Sequence, residues 1–476
     1  MERRLHRTSA VTRPAEVGLP DGFQVQIDQR CVRNGDLRCL VGGSPTRVLK
    51  LSEAALGMTS ADGRIAVHDA ATRSLARTLL DSGIGLPRPM RGPGVDSVTI
   101  VIPVCDNQSG VDTLVRAVPG RRVIVVDDGS AEPIRADGDG VTVIRFDDNR
   151  GPAAARNAGL AAAETDLVAF LDSDTVPTGD WLTMLLAHFS DPTVAIVAPR
   201  VVGRREQTGS MVARYANAHS SLDMGPTEGP VAPGTALAYV PSAAMVVRRD
   251  GFLGFDESLR VAEDVDLCWR TDASGWRVYY DPIAQVRHDH RESLGRLLDR
   301  RRYYGTGAAE LAGRHGPVAA PVMSTVPVAV AVIGLLTRTR LGLLIAAILA
   351  LHSIYRTRAL LTGIPGRELI ATRSTGRALG WGLLQACQAL LRHYWPITLA
   401  VALFWPRFRS LVLQLAVAEG AAEWIRHQVL QTRSPALGPV GFVCMRRLDD
   451  LAYGTGLWQG VLSAASPGAL RPVLKT

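Results

Sequence analysis

Short apolar runs between residues 98 and 171 constrain the fold of this chain most strongly. The runs are each about five residues long, are separated by loops or helix signals, and cover residues 98–102, 123–126, 141–144 and 167–171. A strand that is apolar along its length is buried on both faces, as in a mostly parallel sheet with helices on either side. We therefore predict a Rossmann-like α/β domain of the nucleotide-binding type over residues 95–315.

Composition limits the class of protein. A chain of 476 residues has room for two or three domains, and 47% apolar with 21% charged residues excludes a disordered protein. The net charge of +8 favours an anionic partner, which could be nucleic acid, a nucleotide diphosphate or an acidic membrane surface. Six scattered cysteines indicate neither a zinc site nor disulfides, so we expect a reducing compartment. Because no apolar signal-peptide core is present, we expect the chain to start in the cytosol.

The N-terminal part is predicted to form a small separate domain. Residues 1–18 are predicted to be flexible, whereas residues 19–92 combine strand signals with short helices that begin at Ser52 and Asp69. A turn at residues 34–35 predicts a hairpin between strands at 23–27 and 37–41. Strands with short helices favour a winged-helix-like unit, and the Pro- and Gly-rich stretch 87–94 places its boundary near residue 95.

Residues 316–476 are predicted to be a hydrophobic helical region. Spanning a bilayer takes about 20 apolar residues, so the stretch 317–336 barely suffices and 341–354 spans only if it is tilted or re-entrant. A third stretch, 378–405, is interrupted by charged residues and a proline, which favours a broken or interfacial helix at least as much as a span. We expect association with the cytoplasmic face of the cell membrane, and a buried helical bundle is the alternative.

Carboxylates follow two of the apolar runs. Asp127 and Asp128 end the second run, and Asp172 and Asp174 directly follow the fourth. Ligands bind at the carboxyl ends of strands in open α/β sheets, where Asp127 and Asp128 could accept hydrogen bonds from a nucleotide. Asp172 and Asp174 could share one hard divalent cation, Mg²⁺ or Mn²⁺. Solvated surface turns are the alternative for each pair.

Three further segments carry candidate site residues. A helix starting at Gly151-Pro152 places Arg156 about one turn in, where it could brace the acids or touch a nucleotide; a surface arginine is the alternative. Glu263 and Asp264 open another helix, either as capping acids or as a general base for a hydroxyl. Further on, an imidazole could complete a metal shell and a basic cluster could hold phosphates. A lone histidine is more often structural, and a basic run is usually a solvated face or lies against lipid headgroups. These candidates are His288, Arg301 and Arg302.

In chain order, five motifs resemble the family-two inverting glycosyltransferases with the GT-A fold. The motifs lie at residues 100–104, 126–130, 149–159, 170–174, and 254–257 with 263–270. By this resemblance Pro103, Asp127, Asp128 and Arg156 belong to the donor site, while Asp172, Asp174 and His288 hold the metal and its diphosphate. The resemblance also implies that Asp264, beside Glu263, acts as the base.

Two departures from that family's pattern matter. Cys105 stands where many relatives have an aromatic residue, which leaves the stacking contact with the donor base open. No Gln-x-x-Arg-Trp motif follows the acceptor region, so a processive enzyme of the cellulose-synthase type is not expected.

The N-terminal residues 19–92 resemble winged-helix peptide-recognition modules of ribosomal-peptide maturation pathways. Joined to a family-two transferase and an apolar C-terminal region, they give an arrangement similar to the glycosyltransferases of the mycofactocin system. This implies glucose transfer from UDP-glucose to a peptide-derived redox cofactor or its precursor, with possible repetition. The implied partners are a nucleotide sugar, a peptide-derived small-molecule acceptor, maturation-pathway proteins and the membrane, and no nucleic acid. Alternatives are a transferase acting on a membrane lipid or wall polysaccharide, and a non-catalytic nucleotide-sugar- or peptide-binding scaffold.

Overall fold

A computed structural model describes residues 18–33, 38–89, 91–204, 210–289, 293–364, 366–430 and 437–475. Almost all of the predicted flexible N-terminus, and the predicted turn at 34–35, lie outside these residues. The chain divides into two compact units. The first unit comprises Met1–Cys31, Gly42–Val202 and Ser221–Asp289, and the second comprises Val32–Val41, Gly203–Ser220 and His290–Thr476.

The secondary structure alternates strands and helices up to residue 288 and is mainly helical afterwards. The strands are β1 (Gln24–Ile27), β2 (Val32–Arg33), β3 (Cys39–Gly42), β4 (Arg47–Lys50), β5 (Arg64–Ala66), β6 (Gly85–Pro87), β7 (Val98–Val104), β8 (Arg122–Asp127), β9 (Val141–Arg145), β10 (Leu167–Leu171), β11 (Thr175–Thr178), β12 (Val194–Gly203), β13 (Gly229–Val231), β14 (Ala244–Arg248), β15 (Arg277–His288), β16 (Met323–Thr325) and β17 (Val473–Lys475). The α-helices are α1 (Glu53–Gly57), α2 (Ala70–Asp81), α3 (Gln108–Ala117), α4 (Pro152–Ala162), α5 (Trp181–Ala187), α6 (Met211–Ala218), α7 (Glu263–Ala273), α8 (Leu294–His315), α9 (Val326–Thr337), α10 (Arg340–Leu360), α11 (Arg367–Gln388), α12 (Trp395–Phe404), α13 (Pro406–Leu430) and α14 (Pro439–Ser463).

A nine-stranded mixed sheet forms the core of the first unit. Its strand order is β11-β15-β12-β14-β10-β7-β8-β9, with β13 also paired to β15. The four strands β10, β7, β8 and β9 run parallel, and these are the four apolar runs of the sequence. The α/β class is therefore confirmed. The run at 141–144 differs from the expectation of burial on both faces, because β9 is the outer strand of the sheet and Val143 is 37% exposed.

Parallel pairing brings the ends of three strands to one edge of the sheet. In the register of β7 and β8, Val104 lies opposite Asp127, and Phe170 of β10 lies opposite Val101 of β7. The segments that follow β7, β8 and β10 therefore leave the sheet on the same side. These segments contain the acidic residues singled out in the sequence.

The N-terminal part of the first unit is a small antiparallel sheet with the order β5-β1-β6. The helix signals there are confirmed, since Ser52 accepts the backbone N–H of Ala55 and Asp69 accepts that of Thr72. The predicted hairpin is wrong. Strand β1 pairs with β5 and β6, and β3 pairs with β2, because alternate residues of β1 are fully buried in the centre of a three-stranded sheet.

Ion pairs fix this small sheet to the rest of the first unit. Arg77 of α2 donates two hydrogen bonds of 2.9 Å to Asp191. Arg88, directly after β6, binds both oxygens of Glu228 at 2.8 and 2.6 Å. A third ion pair joins Asp81, the last residue of α2, to an arginine at the start of β15. The N-terminal sheet and the main sheet are thus held together by charge as well as by packing.

Close helix packing characterises the second unit. Helices α8 and α14 approach until their backbones touch: a Cβ at Gly456 would lie 1.8 Å from the carbonyl oxygen of Arg302, and one at Gly305 would lie 2.2 Å from that of Tyr453. Buried charges are paired within the same unit, where Arg446 donates to Asp450 at 2.7 Å.

The apolar helices differ in part from the stretches expected to meet the membrane. Among the described residues, one helix, α10 at Arg340–Leu360, is long and apolar enough to cross a bilayer. Only 6% of its apolar stretch is buried. The stretch at 317–336 gives only the shorter helix α9. The stretch at 378–405 is broken, as predicted, by a π-helical turn at Ala389–His393.

Candidate active site

Hydrogen bonds within the loop, and from the loop to Ala243 and Asn107, hold the segment after β10. The amide of Asp172 donates to the carbonyl of Ala243 at 2.9 Å, and Thr175 donates to the Asp172 carbonyl through its N–H and its hydroxyl at 2.9 and 2.7 Å. The Asn107 side chain donates to the carbonyl and hydroxyl oxygens of Ser173 at 3.1 and 3.0 Å. These bonds leave the carboxylates of residues 172 and 174 pointing out of a fixed turn.

Sheet pairing brings His288 to this loop. Strand β11 pairs with β15 so that Thr175 lies opposite His288, and the His288 Nε2 lies 3.2 Å from Asp174 Oδ2. Burial and the negative charge of Asp174 act to raise the pKa of Asp172, and they outweigh the opposite effect of the neighbouring arginine. Asp174 and His288 are in contact, and Asp172 lies two residues away on the same loop, so the residue types present suit a divalent cation.

Arg156 links Asp172, a candidate metal ligand, to a second acidic pair. The residue is 3% exposed and lies in α4, which begins with Pro152 as the sequence predicts. Its guanidinium donates to Asp172 Oδ1 at 2.6 Å and to Glu263 Oε1 at 3.3 Å, and it lies 5.2 Å from the centre of the Phe255 ring. Burial acts to lower the pKa of Arg156, but the carboxylates raise it above its usual value, so the side chain stays charged.

Glu263 and Asp264 form the first turn of α7, which starts after Ala262 in the left-handed conformation at a φ of 64°. The Val265 amide donates to Asp264 Oδ1 at 2.8 Å. Burial, followed by the charge of Glu263, raises the pKa of Asp264 to about 7. A carboxylate with such a pKa can take up and release a proton near neutral pH, which an ordinary surface aspartate cannot.

Asp127 and Asp128 anchor loops at the same edge of the sheet. Asp127 is fully buried and accepts the amides of Ser130 and Ile134 at 2.9 and 3.1 Å, together with the Arg145 guanidinium. Burial acts to raise the pKa of Asp127, but these hydrogen bonds lower it. Asp127 therefore positions the loop that follows β8.

Asp128 binds the start of the next helix. Its two oxygens accept the amides of Arg150 and Gly151 at 2.7 and 2.8 Å. Gly129 has a φ of 69°, and a Cβ there would lie 2.6 Å from the backbone nitrogen of Asn149. Only glycine fits this position, so the Asp-Asp-Gly-Ser sequence is a structural motif as well as a candidate donor site.

Pro103 and Cys105 lie at the end of β7. Pro103 is buried within the sheet opposite Val126. Cys105, where the sequence departs from the family pattern, is exposed, and the Asn149 side-chain amide lies 3.5 Å from its sulfur. The position next to the acids is therefore occupied by a small thiol.

Arg301 and Arg302, the predicted phosphate ligands, belong to the second unit. Arg301 is buried; its Nε lies 2.8 Å from Asp449 Oδ1, and its Nη2 donates to the carbonyl of His219 at 2.9 Å. Arg302 is exposed on α8. The structure thus brings together Asp172, Asp174, His288, Arg156, Glu263 and Asp264, while Arg301 is already engaged by its own unit.

Sequence reasoning missed three residues that shape the site. Arg145 binds Asp127 from the end of β9, Phe255 lies under Arg156, and Asn107 holds the turn after β10. Asn107 caps α3, which was a usable signal, because an asparagine after a strand often starts a helix. The other two depend on which strands and loops are neighbours, which the sequence pattern does not give.

The sequence of this chain is similar to those of known glycosyltransferases. A model of glycosyl transferase family 2 matches residues 99–252. The pre-mycofactocin glycosyltransferase of Mycobacterium tuberculosis (strain ATCC 25618 / H37Rv) is 44% identical over 467 residues, which cover 96% of this chain and 99% of that protein. The succinoglycan biosynthesis protein ExoU of Rhizobium meliloti (strain 1021) is 31% identical over 242 residues, covering 45% and 70%.

One solved structure with similarity is a mannosyltransferase from Pyrobaculum calidifontis in complex with GDP-Man and Mn²⁺. It is 19% identical, has a TM-score of 0.36, and covers 72% of this chain and 88% of that chain. The family assignment rests on the sequence relatives, one of which matches at 44% identity over nearly the whole length. This chain belongs to glycosyltransferase family 2.

Proposed function

We propose that this glycosyltransferase moves a hexose, with inversion at the anomeric carbon, from a nucleotide sugar to a peptide-derived acceptor. The observation that carries the proposal is the Arg156 guanidinium, which donates to Asp172 on one side and to Glu263 on the other. The acids suited to a metal and a diphosphate are thereby linked to the acids suited to proton transfer. A sugar transfer needs both functions around one anomeric carbon.

Asp264 is the base in this reaction. A hydroxyl group is a weak nucleophile at neutral pH, and a carboxylate that accepts its proton during attack lowers the barrier. A pKa of about 7 suits this task, because the carboxylate is a stronger base than an ordinary aspartate and is still partly deprotonated at neutral pH. Attack from the face opposite the leaving diphosphate inverts the configuration in one displacement, so no enzymic nucleophile is required.

Mg²⁺ or Mn²⁺ fits the ligand set of Asp172, Asp174 and His288. When bound, the cation neutralises negative charge that develops on the leaving diphosphate. Contacts within the chain orient the residues that would hold this cation. Arg156 donates to Asp172, and the pairing of β11 with β15 keeps His288 beside Asp174. Asp127 and Asp128 shape the loops of the donor site and set the position of α4.

The acceptor is proposed from the relative of 44% identity, which is named a pre-mycofactocin glycosyltransferase. We assign to this chain the same pathway, with glucose from UDP-glucose as the transferred sugar and repeated transfer giving a short oligosaccharide. Residues 19–92 are proposed to recognise the peptide-derived acceptor or a protein of its maturation pathway. Their ion pairs with the main sheet support a role close to catalysis, since they hold this part at a fixed position in the first unit.

The test is a transfer assay with purified protein, Mn²⁺ or Mg²⁺, a panel of nucleotide sugars and the peptide-derived acceptor. We expect UDP-glucose to give acceptor masses increased by one or more hexoses. Asp174→Asn and Asp264→Asn should each lose transfer, with a loss of about 10²–10⁴-fold for the base. Asp299→Asn, an exposed carboxylate on α8, is the matched control and should keep full activity. Equal turnover in all three variants contradicts the roles proposed for Asp174 and Asp264. No turnover of any donor by the wild type contradicts the proposal as a whole and favours a binding scaffold.

A membrane lipid or wall polysaccharide is the second candidate acceptor. It is favoured by the exposed apolar side chains of the second unit, among which Phe404 is 89% exposed and Leu360 78%. Supplying lipid acceptors and the peptide-derived acceptor to the same enzyme in competition separates the two, because the true acceptor suppresses transfer to the other.

The same exposed side chains support a location at the cytoplasmic face of the cell membrane. Arg338 precedes the apolar helix α10, Arg340 is its first residue, and Arg356 and Arg358 lie in its last turns. Basic residues next to apolar segments are typical of the cytosolic side of a membrane. We expect the chain to float with vesicles of anionic lipid. Protein that stays in solution beside such vesicles at low salt contradicts this location and favours a buried helical bundle.

A further inference from the structure

A second group of metal-ligating side chains lies within the second unit. His219 directly follows α6, and Glu423 and His427 are one turn apart on the same face of α13. One ligand atom from each of the three residues lies within 4.8 Å of the other two. The three side chains come from two different helical segments, so their approach is a property of the tertiary structure.

The cluster is enclosed by aromatic rings and one further carboxylate. The Phe442 ring lies 5.6 Å from the ring of His427 and 6.4 Å from that of His219. Asp449 Oδ2 lies 3.9 Å from His219 Nε2 and accepts the Tyr215 hydroxyl at 2.8 Å. The cluster is therefore bordered by an aromatic ring on one side and has a further carboxylate nearby.

Glu423 supplies the carboxylate of the cluster, and its Oε2 accepts a hydrogen bond from Arg426 at 3.0 Å. The other two candidate ligands are imidazoles, whose nitrogens suit a transition metal such as zinc.

We propose that His219, Glu423 and His427 form a zinc site, separate from the acids of the catalytic loop. In tetrahedral zinc sites the ligand atoms lie roughly 3.3 Å apart, and Glu423 Oε2 is 3.8 Å from His427 Nε2, so only small movements complete the set. Two imidazoles and one carboxylate prefer Zn²⁺, whereas the acids after β10 prefer Mg²⁺ or Mn²⁺. The ion would tie the segment 210–219 to α13 within the second unit.

Zinc binding to the full chain, purified without a polyhistidine tag, tests the proposal. An Asp174→Asn background removes a ligand of the catalytic loop, and zinc content is measured by mass spectrometry after dialysis. We expect this background to retain one zinc ion per chain, and the additional changes His219→Asn or His427→Asn to lose it. His68→Asn, an exposed histidine of the first unit, is the matched control and should retain the zinc.

Thermal unfolding supplies a second readout that does not depend on transferase activity. Zinc should raise the thermal unfolding midpoint of the Asp174→Asn protein and of its His68→Asn control, because a ligand that binds only the folded state stabilises that state. Zinc should leave the unfolding midpoint of the His427→Asn protein unchanged. Excess Mn²⁺ should not displace the zinc. Equal zinc retention in all variants, no zinc in the Asp174→Asn background, or displacement by Mn²⁺ would overturn the proposal and leave a packed cluster of two histidines and a glutamate.

Discussion

The raised pKa of Asp264 predicts how activity depends on pH. Asp264 can accept a proton only when it is deprotonated, so kcat/KM should fall as the pH drops below about 7. For a pKa of about 7, the deprotonated fraction is about 9% at pH 6 and about 91% at pH 8, which gives roughly a tenfold rise in rate. An aspartate with its ordinary pKa of 3.8 would give a flat profile over this range.

Glu263→Gln tests the physical cause of that pKa. The charge of Glu263 is, after burial, the main cause that raises the pKa of Asp264, so its removal should move the acidic limb of the profile to lower pH. A decrease of one unit would raise the deprotonated fraction at pH 6 from about 9% to about 50%. The profile should be measured as kcat/KM at saturating metal, because that parameter reports the free enzyme.

A matched substitution separates this effect from a general loss of charge. Glu310→Gln removes an exposed glutamate of α8 that is paired with Arg314, and its acidic limb should coincide with that of the wild type. A flat wild-type profile between pH 6 and 8 would refute the raised pKa of Asp264. An acidic limb that stays at pH 7 in Glu263→Gln would refute only the explanation that the charge of Glu263 raises the pKa of Asp264.

Three further predictions concern stability. Arg156→Met removes the cation between Asp172 and Glu263 and should lower the free energy of unfolding, measured with urea, by about 3 kcal/mol. This is the lower end of the range for buried ion pairs, because the Asp172 side chain is partly exposed. Gly129→Ala forces a side chain into the left-handed region and against backbone, so it should cost about 1–3 kcal/mol and raise the KM for the donor. Gly456→Ala should lower the thermal midpoint because its Cβ meets the Arg302 carbonyl, while Gly313→Ala, in open space on α8, should leave it unchanged or raise it. Wild-type stability in the first three variants would contradict these contacts.

The parallel half of the main sheet could be predicted from the sequence, and the antiparallel half could not. Continuous apolar runs identified β7, β8 and β10, because strands buried on both faces need apolar residues throughout. Strand β15 escaped prediction since it mixes polar and apolar residues and contains Pro282. It is nevertheless the strand that carries His288 to Asp174, which lies 114 residues earlier.

The candidate site was predictable as a set of residue types but not as a set of contacts. Acids at the ends of parallel strands had to meet at one edge, which follows from the direction of the strands. The contact of Arg156 with both acidic pairs, and the burial of Asp127 among backbone amides, depend on loop conformations set by residues such as Gly129 and Ala262. Local patterns do not encode those distances.

The ion pairs between the N-terminal sheet and the main sheet have a consequence for how the protein is made. The acids that bind Arg77 and Arg88 follow them by 114 and 140 residues. At a synthesis rate of about 5–20 residues per second, the first strands wait roughly 6–28 s for their partners to be translated. During that time Arg77 and Arg88 lack these partners, so the ion pairs that fix the N-terminal sheet can form only after residues 191 and 228 have been translated.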